Sequence, residues 1–121
     1  MNDLYIGIGS VFVGVMFLMK YALSGSQRVS SKVAKKMLKS KDITKVIDVR
    51  TKLEYDVGHH PGSTHIPLGS LNAESMRGTR KNTGILVYCN TGQRARVAAE
   101  LLRSMGYSNV YYISGHYTTL K

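Results

Sequence analysis

Between residues 31 and 113 the chain alternates short apolar runs with segments of helical period, and that alternation leaves few folds open to it. The runs Lys45-Val46-Ile47-Asp48-Val49-Arg50, Thr64-His65-Ile66, Gly84-Ile85-Leu86-Val87-Tyr88 and Asn109-Val110-Tyr111-Tyr112-Ile113 have the length and composition of strands. Ser30 or Ser31 can cap a helix running to about Ser40, with Val33, Ala34, Met37 and Leu38 inward and Lys32, Lys35, Lys36 and Lys39 outward. Thr51 to Asp56 reads as a turn or short helix, and Ser70 to Met76 as one or two helical turns. A longer helix runs from about Gln93 to Met105. Its pattern predicts that Val97, Ala98, Leu101, Leu102 and Met105 are buried, that Arg96, Glu100 and Arg103 are exposed, and that it stops at Gly106. Strands alternating with helices predict an α/β fold, a mostly parallel sheet with helices on both faces. The 121 residues suffice for one such domain.

The lone cysteine, Cys89, falls where this architecture puts chemistry, in the loop that leaves the carboxyl end of the 84–88 strand and enters the long helix. Unpaired N–H groups and the helix dipole favour negative charge there, so a thiolate nucleophile is expected. Gly92 provides the positive φ or close approach that a curled loop needs. Arg94 adds a permanent cation with a planar donor fork. A cation in the first helical turn is locally unfavourable unless an anion accompanies it, which favours a functional role for Arg94 over a merely superficial one. No disulfide is possible within the chain. The four histidines, with His59 and His60 adjacent and His65 and His116 apart, lack metal-site spacing, so neither metal nor cofactor is expected.

The first residues are of another kind. From Leu4 to Met19 there is no charge, and with Lys20 snorkelling the apolar stretch reaches Leu23. Residues 4–23 would make a helix of about 30 Å, matching a bilayer core. Tyr5 and Tyr21 stand near its ends, and Gly7, Ser10 and Gly14 share a face through which two such helices could pair as a homodimer. Two readings compete with a retained anchor. A cleaved signal peptide, leading to a periplasmic or secreted domain, lacks its basic start in Met1-Asn2-Asp3. A buried core helix would be expected to show a polar face.

The net charge of +10 could suggest nucleic acid, but seven of the 17 basic residues (Arg28, Lys32, Lys35, Lys36, Lys39, Lys41 and Lys45) directly follow the apolar stretch. That placement points to a membrane surface and, by the positive-inside rule, to a cytoplasmic domain, with no nucleic-acid partner. The organisation expected is an anchor and linker over 1–27 and a domain over 28–121.

The ordered series Val46-Ile47-Asp48-Val49-Arg50, Glu54-Tyr55, Gly58-His59-His60-Pro61-Gly62-Ser63, Ile66-Pro67-Leu68, Val87-Tyr88-Cys89-Asn90-Thr91-Gly92-Gln93-Arg94 and Gly106-Tyr107 resembles the single-domain rhodaneses, which are sulfurtransferases. The resemblance covers about residues 28–115. It implies a five-stranded parallel sheet between helices. It also implies a Cys89 persulfide, formed from a small sulfur-donor anion such as thiosulfate and passed to cyanide, a small thiol or a protein cysteine. The loop Asn90, Thr91, Gly92, Gln93 and Arg94 would cradle the sulfur. Asp48 and Arg50 are expected to brace the strand end, with Arg50 paired to a carboxylate, and His59 to pack and hydrogen-bond.

Phosphatases and arsenate reductases on the same scaffold place five residues between cysteine and arginine. Here four intervene and the fifth position is Ala95, which fits a single sulfur better than a phosphoryl group. A non-catalytic, membrane-tethered binding or persulfide-sensing module remains as the alternative. Departures from the family pattern are His60 for an aliphatic residue, His116 for a glycine, and the absence of a closing tryptophan after Gly115, a place that Tyr117 and Leu120 could partly fill.

Overall fold

The structure, a computed structural model, describes residues 27–121. The candidate membrane span 4–23 lies outside them. Among the described residues no helix is long and apolar enough to cross a membrane.

Five strands form one sheet: β1 (Gln27–Arg28), β2 (Lys45–Asp48), β3 (Thr64–His65), β4 (Ile85–Tyr88) and β5 (Val110–Tyr112). Their order is β1-β5-β4-β2-β3, and every pairing is parallel. Among the described residues three α-helices, α1 (Ser31–Ser40), α2 (Lys52–Val57) and α3 (Gln93–Ser104), and 3₁₀ turns at Leu68–Ser70 and Tyr117–Leu120 supply the connections. The segment expected to be helical over 70–76 is instead this first 3₁₀ turn followed by hydrogen-bonded turns.

Strand β4 is central and buried on both faces, and its alternation divides the core in two. Ile85, Val87 and Cys89 join one apolar cluster with Ala95, Ala98, Ala99 and Leu102 of α3. Leu86 and Tyr88 join the other with Ala34, Ile113 and Leu120, beneath α1 and the last 3₁₀ turn. Leu120 is thus buried and Tyr117 packs against the same cluster, in line with the packing role expected of these two residues.

Three expectations are corrected. Val97 and Leu101 are exposed rather than buried, because α3 lays its small residues Ala95, Ala98 and Ala99 on the sheet, which lets helix and strand approach closely. Val33 is exposed for a similar reason: Ala34 is the fully buried residue of α1, with Met37 and Leu38 packed against the core beside it. Gln27, expected to belong to a linker, opens β1 and pairs with Tyr111 at the sheet edge. The basic cluster is also more structured than a juxtamembrane run, since Lys32, Lys35, Lys36 and Lys39 are exposed side chains of α1 itself.

Candidate active site

Cys89 follows β4 directly, and its side chain is fully buried. Helix α3 starts at Gly92, whose φ of +96° is a left-handed conformation, and no side chain of the usual capping kind serves its first turn. The sulfur takes that part. Cys89 Sγ accepts from the Gly92 N–H at 3.1 Å and from the Ala95 N–H at 3.3 Å. The helix end therefore supplies two backbone dipoles to the sulfur, and these stabilise a thiolate or a persulfide anion alike. A Cβ on Gly92 would stand 2.8 Å from Ser114 Cα, so the loop also needs glycine for space.

The other expected loop residues divide. Thr91 and Gln93 are exposed. Asn90 donates to Glu54 Oε2 at 2.5 Å and accepts from Arg50 Nη1 at 3.4 Å. Arg94 makes a bidentate pair with Glu54, Nη1 to Oε1 at 2.7 Å and Nη2 to Oε2 at 2.9 Å. Glu54 is the accompanying anion whose absence would have made Arg94 unfavourable in the first turn of α3. The Arg94 hydrogen bonds hold the Glu54 carboxyl well below the usual carboxylate range.

Sequence reasoning gave Glu54 no role at the site. Its local signature is a capping box: Thr51 accepts from the Glu54 N–H, and Glu54 reaches back to the Thr51 N–H. That pattern is readable in Thr51-Lys52-Leu53-Glu54, but a partner forty residues away is not.

Behind the loop, Arg50 is almost fully buried and pairs with Asp48, Nη2 to Oδ2 at 2.7 Å, while a second bond from Nη2 reaches the Gly58 carbonyl at 2.6 Å. Its guanidinium lies over the rings of Tyr88 and Tyr117, 5.5 and 4.9 Å from their centroids. Burial disfavours charge on Asp48, but hydrogen bonds from Arg50 and Tyr88 outweigh it and hold the carboxyl below the usual aspartate range. The same burial pushes the Tyr88 hydroxyl up to about 12, so it stays a donor, to Asp48 Oδ2 at 2.7 Å. His59 stacks on Tyr55 at 3.7 Å between ring centroids and bonds through Nδ1 to the Tyr55 carbonyl at 2.9 Å. His65 stacks on the same ring and bonds to the Arg50 carbonyl. His60 sets its backbone N–H on the Tyr88 hydroxyl, and its imidazole is lowered by burial and by neighbouring His59.

Comparison with known proteins agrees with this geometry. The family model of the Rhodanese-like domain matches residues 30–121. A putative sulfur carrier protein, YrkF of Bacillus subtilis, is 30% identical over 87 residues, 72% of this chain and 46% of that protein. The adenylyltransferase and sulfurtransferase uba4 of Ogataea parapolymorpha is 36% identical over 73 residues, 60% of this chain and 19% of that protein. The chain thus spans less than half the length of these relatives. Among solved structures, the rhodanese-like domain of the Anabaena protein Alr3790 superposes with a TM-score of 0.67 at 26% identity, over 77% of this chain and 71% of that one. The human single-domain sulfurtransferase TSTD1 shares the fold, with a TM-score of 0.65 at 23% identity over 78% of this chain and 95% of that one.

Proposed function

This chain belongs to the family of rhodanese-like domains, and on that premise we propose that it is a sulfurtransferase working through a Cys89 persulfide. The observation that carries the reading is the pair of N–H bonds from Gly92 and Ala95 to Sγ. They stabilise a negative sulfur in a loop too short for a phosphoryl group, with four residues between Cys89 and Arg94. The Cys89 thiolate attacks the sulfane sulfur of a donor, forming Cys89–S–S⁻ and expelling the rest of the donor with the electron pair. An acceptor thiol or cyanide then takes the outer sulfur and returns the thiolate. Neither step needs a general base once the thiolate exists, consistent with the engagement of His59 by Tyr55. The loop Asn90, Thr91, Gly92, Gln93 and Arg94 shapes the cradle, whose donors to the sulfur are the Gly92 and Ala95 N–H groups, and Asp48 and Arg50 hold the strand end behind it.

We further propose that residues 4–23 span a membrane and leave the domain on its cytoplasmic side. The uncharged stretch and the basic residues after it support this. Pairing of two chains through Gly7, Ser10 and Gly14 belongs to the same proposal.

The test is to incubate the purified chain with thiosulfate and, separately, with inorganic polysulfide, and to weigh it intact. Gain of one sulfur atom by the wild type and none by Cys89→Ser is the expected result. If the wild type gains none from either donor and transfers none to cyanide, a non-catalytic binding module replaces the enzyme.

A further inference from the structure

Charge around the cysteine loop is cancelled residue by residue. Arg94 spends both terminal nitrogens of its guanidinium on Glu54. Arg50 does nearly the same with Asp48, through Nε and Nη2. Asn90 connects the two pairs, accepting from Arg50 and donating to Glu54. Two guanidiniums and two carboxylates thus make one neutral network, from the end of β2 to the first turn of α3. What faces the sulfur directly is a pair of N–H dipoles rather than a net positive charge.

Donors differ in the charge they bring to such a site. Thiosulfate carries two negative charges on a group attached directly to the transferred sulfur. Its oxygens would arrive beside the Glu54 carboxylate, with the Arg94 guanidinium already paired to it. A persulfide, R–S–SH, presents a single sulfur atom with at most one charge on the reacting group. The two N–H donors suffice for that.

We infer that Glu54 is a specificity-determining residue, which by occupying Arg94 selects persulfide donors over thiosulfate. This rests on the sulfurtransferase reading above. In the selected reaction the Cys89 thiolate attacks the outer sulfur of R–S–SH. The new S–S bond forms as the donor's S–S bond breaks, and R–S⁻ leaves with the electron pair. The proton on the transferred sulfur passes to that leaving thiolate, giving Cys89–S–S⁻ and R–SH. One sulfane sulfur changes hands, and no outside oxidant or reductant takes part.

The substitution that tests this is Glu54→Gln, which removes the charge and keeps a side chain able to complete the capping box with Thr51. Second-order rates of sulfur gain at Cys89 would be measured by intact mass on the full chain, with glutathione persulfide and with thiosulfate. The wild type should favour the persulfide by about tenfold or more, and Glu54→Gln should move the ratio toward thiosulfate by about tenfold. That shift should shrink at high ionic strength and disappear when Arg94→Gln is added. A change that merely loosened the loop would slow both donors and move neither the ratio nor its salt dependence. A wild type that loads equally fast or faster from thiosulfate overturns the inference, as does a ratio unmoved by Glu54→Gln. Loading without preference defeats only the role of Glu54, whereas failure of both donors to load Cys89 defeats the sulfurtransferase reading beneath it.

Discussion

Gly92 joins two demands at one residue. Its φ of +96° costs any other residue about 1–2 kcal/mol, and an added methyl would meet Ser114 Cα at 2.8 Å. Gly92→Ala should therefore lower the melting temperature by several degrees and cut the rate of sulfur gain at Cys89, because the N–H groups that meet the sulfur depend on that turn. A melting curve superimposable on the wild type, with unchanged loading, would show that the turn tolerates a side chain. Gly92 was legible beforehand because local geometry alone asks for glycine after such a loop. Glu54 was not, because its value lies in a contact with Arg94 forty residues on, which no local pattern encodes.

Elements show the same division. Strand β4 and helix α3 could be read from sequence, since a strand buried on both faces must be apolar throughout and a helix on a sheet must repeat every three to four residues. The stripe of α3 is read only in part: Ala98 and Leu102 are buried as expected, but hydrophobicity points to Val97 and Leu101 where closeness to the sheet favours small Ala95 and Ala99. Strand β1 was invisible, because polar Gln27 and Arg28 become a strand only by pairing with Tyr111 and Tyr112.

Helix α2 makes a further prediction. Its Glu54 both caps the helix and ties it to α3 through a carboxyl held in its ionised form. A depressed carboxyl contributes stability that is present above its unfolded value, about pH 4.3, and is lost as pH falls toward the folded value. In urea titrations the wild type should exceed Glu54→Gln by about 1 kcal/mol at neutral pH, the side chain being partly exposed. The difference should hold down to about pH 5 and shrink below about pH 4. A difference constant to pH 3 would mean that the pair contributes no stability.

At the scale of the whole molecule, the proposed span makes its own prediction. The full chain should stay with membranes through an alkaline carbonate wash, and protease added outside intact cells should spare residues 27–121. Release by the wash, or digestion from outside, would remove the anchor or reverse its orientation. Because all five strands are parallel, the sheet has a root, where the chain enters β1, and a crown, where Cys89 sits. Only Ser24, Gly25 and Ser26 separate the proposed span from β1, a leash of about 10 Å at full stretch. With the span retained as proposed, so short a leash would keep the root near the lipid, while Cys89 lies at the opposite, carboxyl end of the strands. On that proposal the sulfur would be offered to molecules arriving through water, with the membrane a mooring rather than its destination.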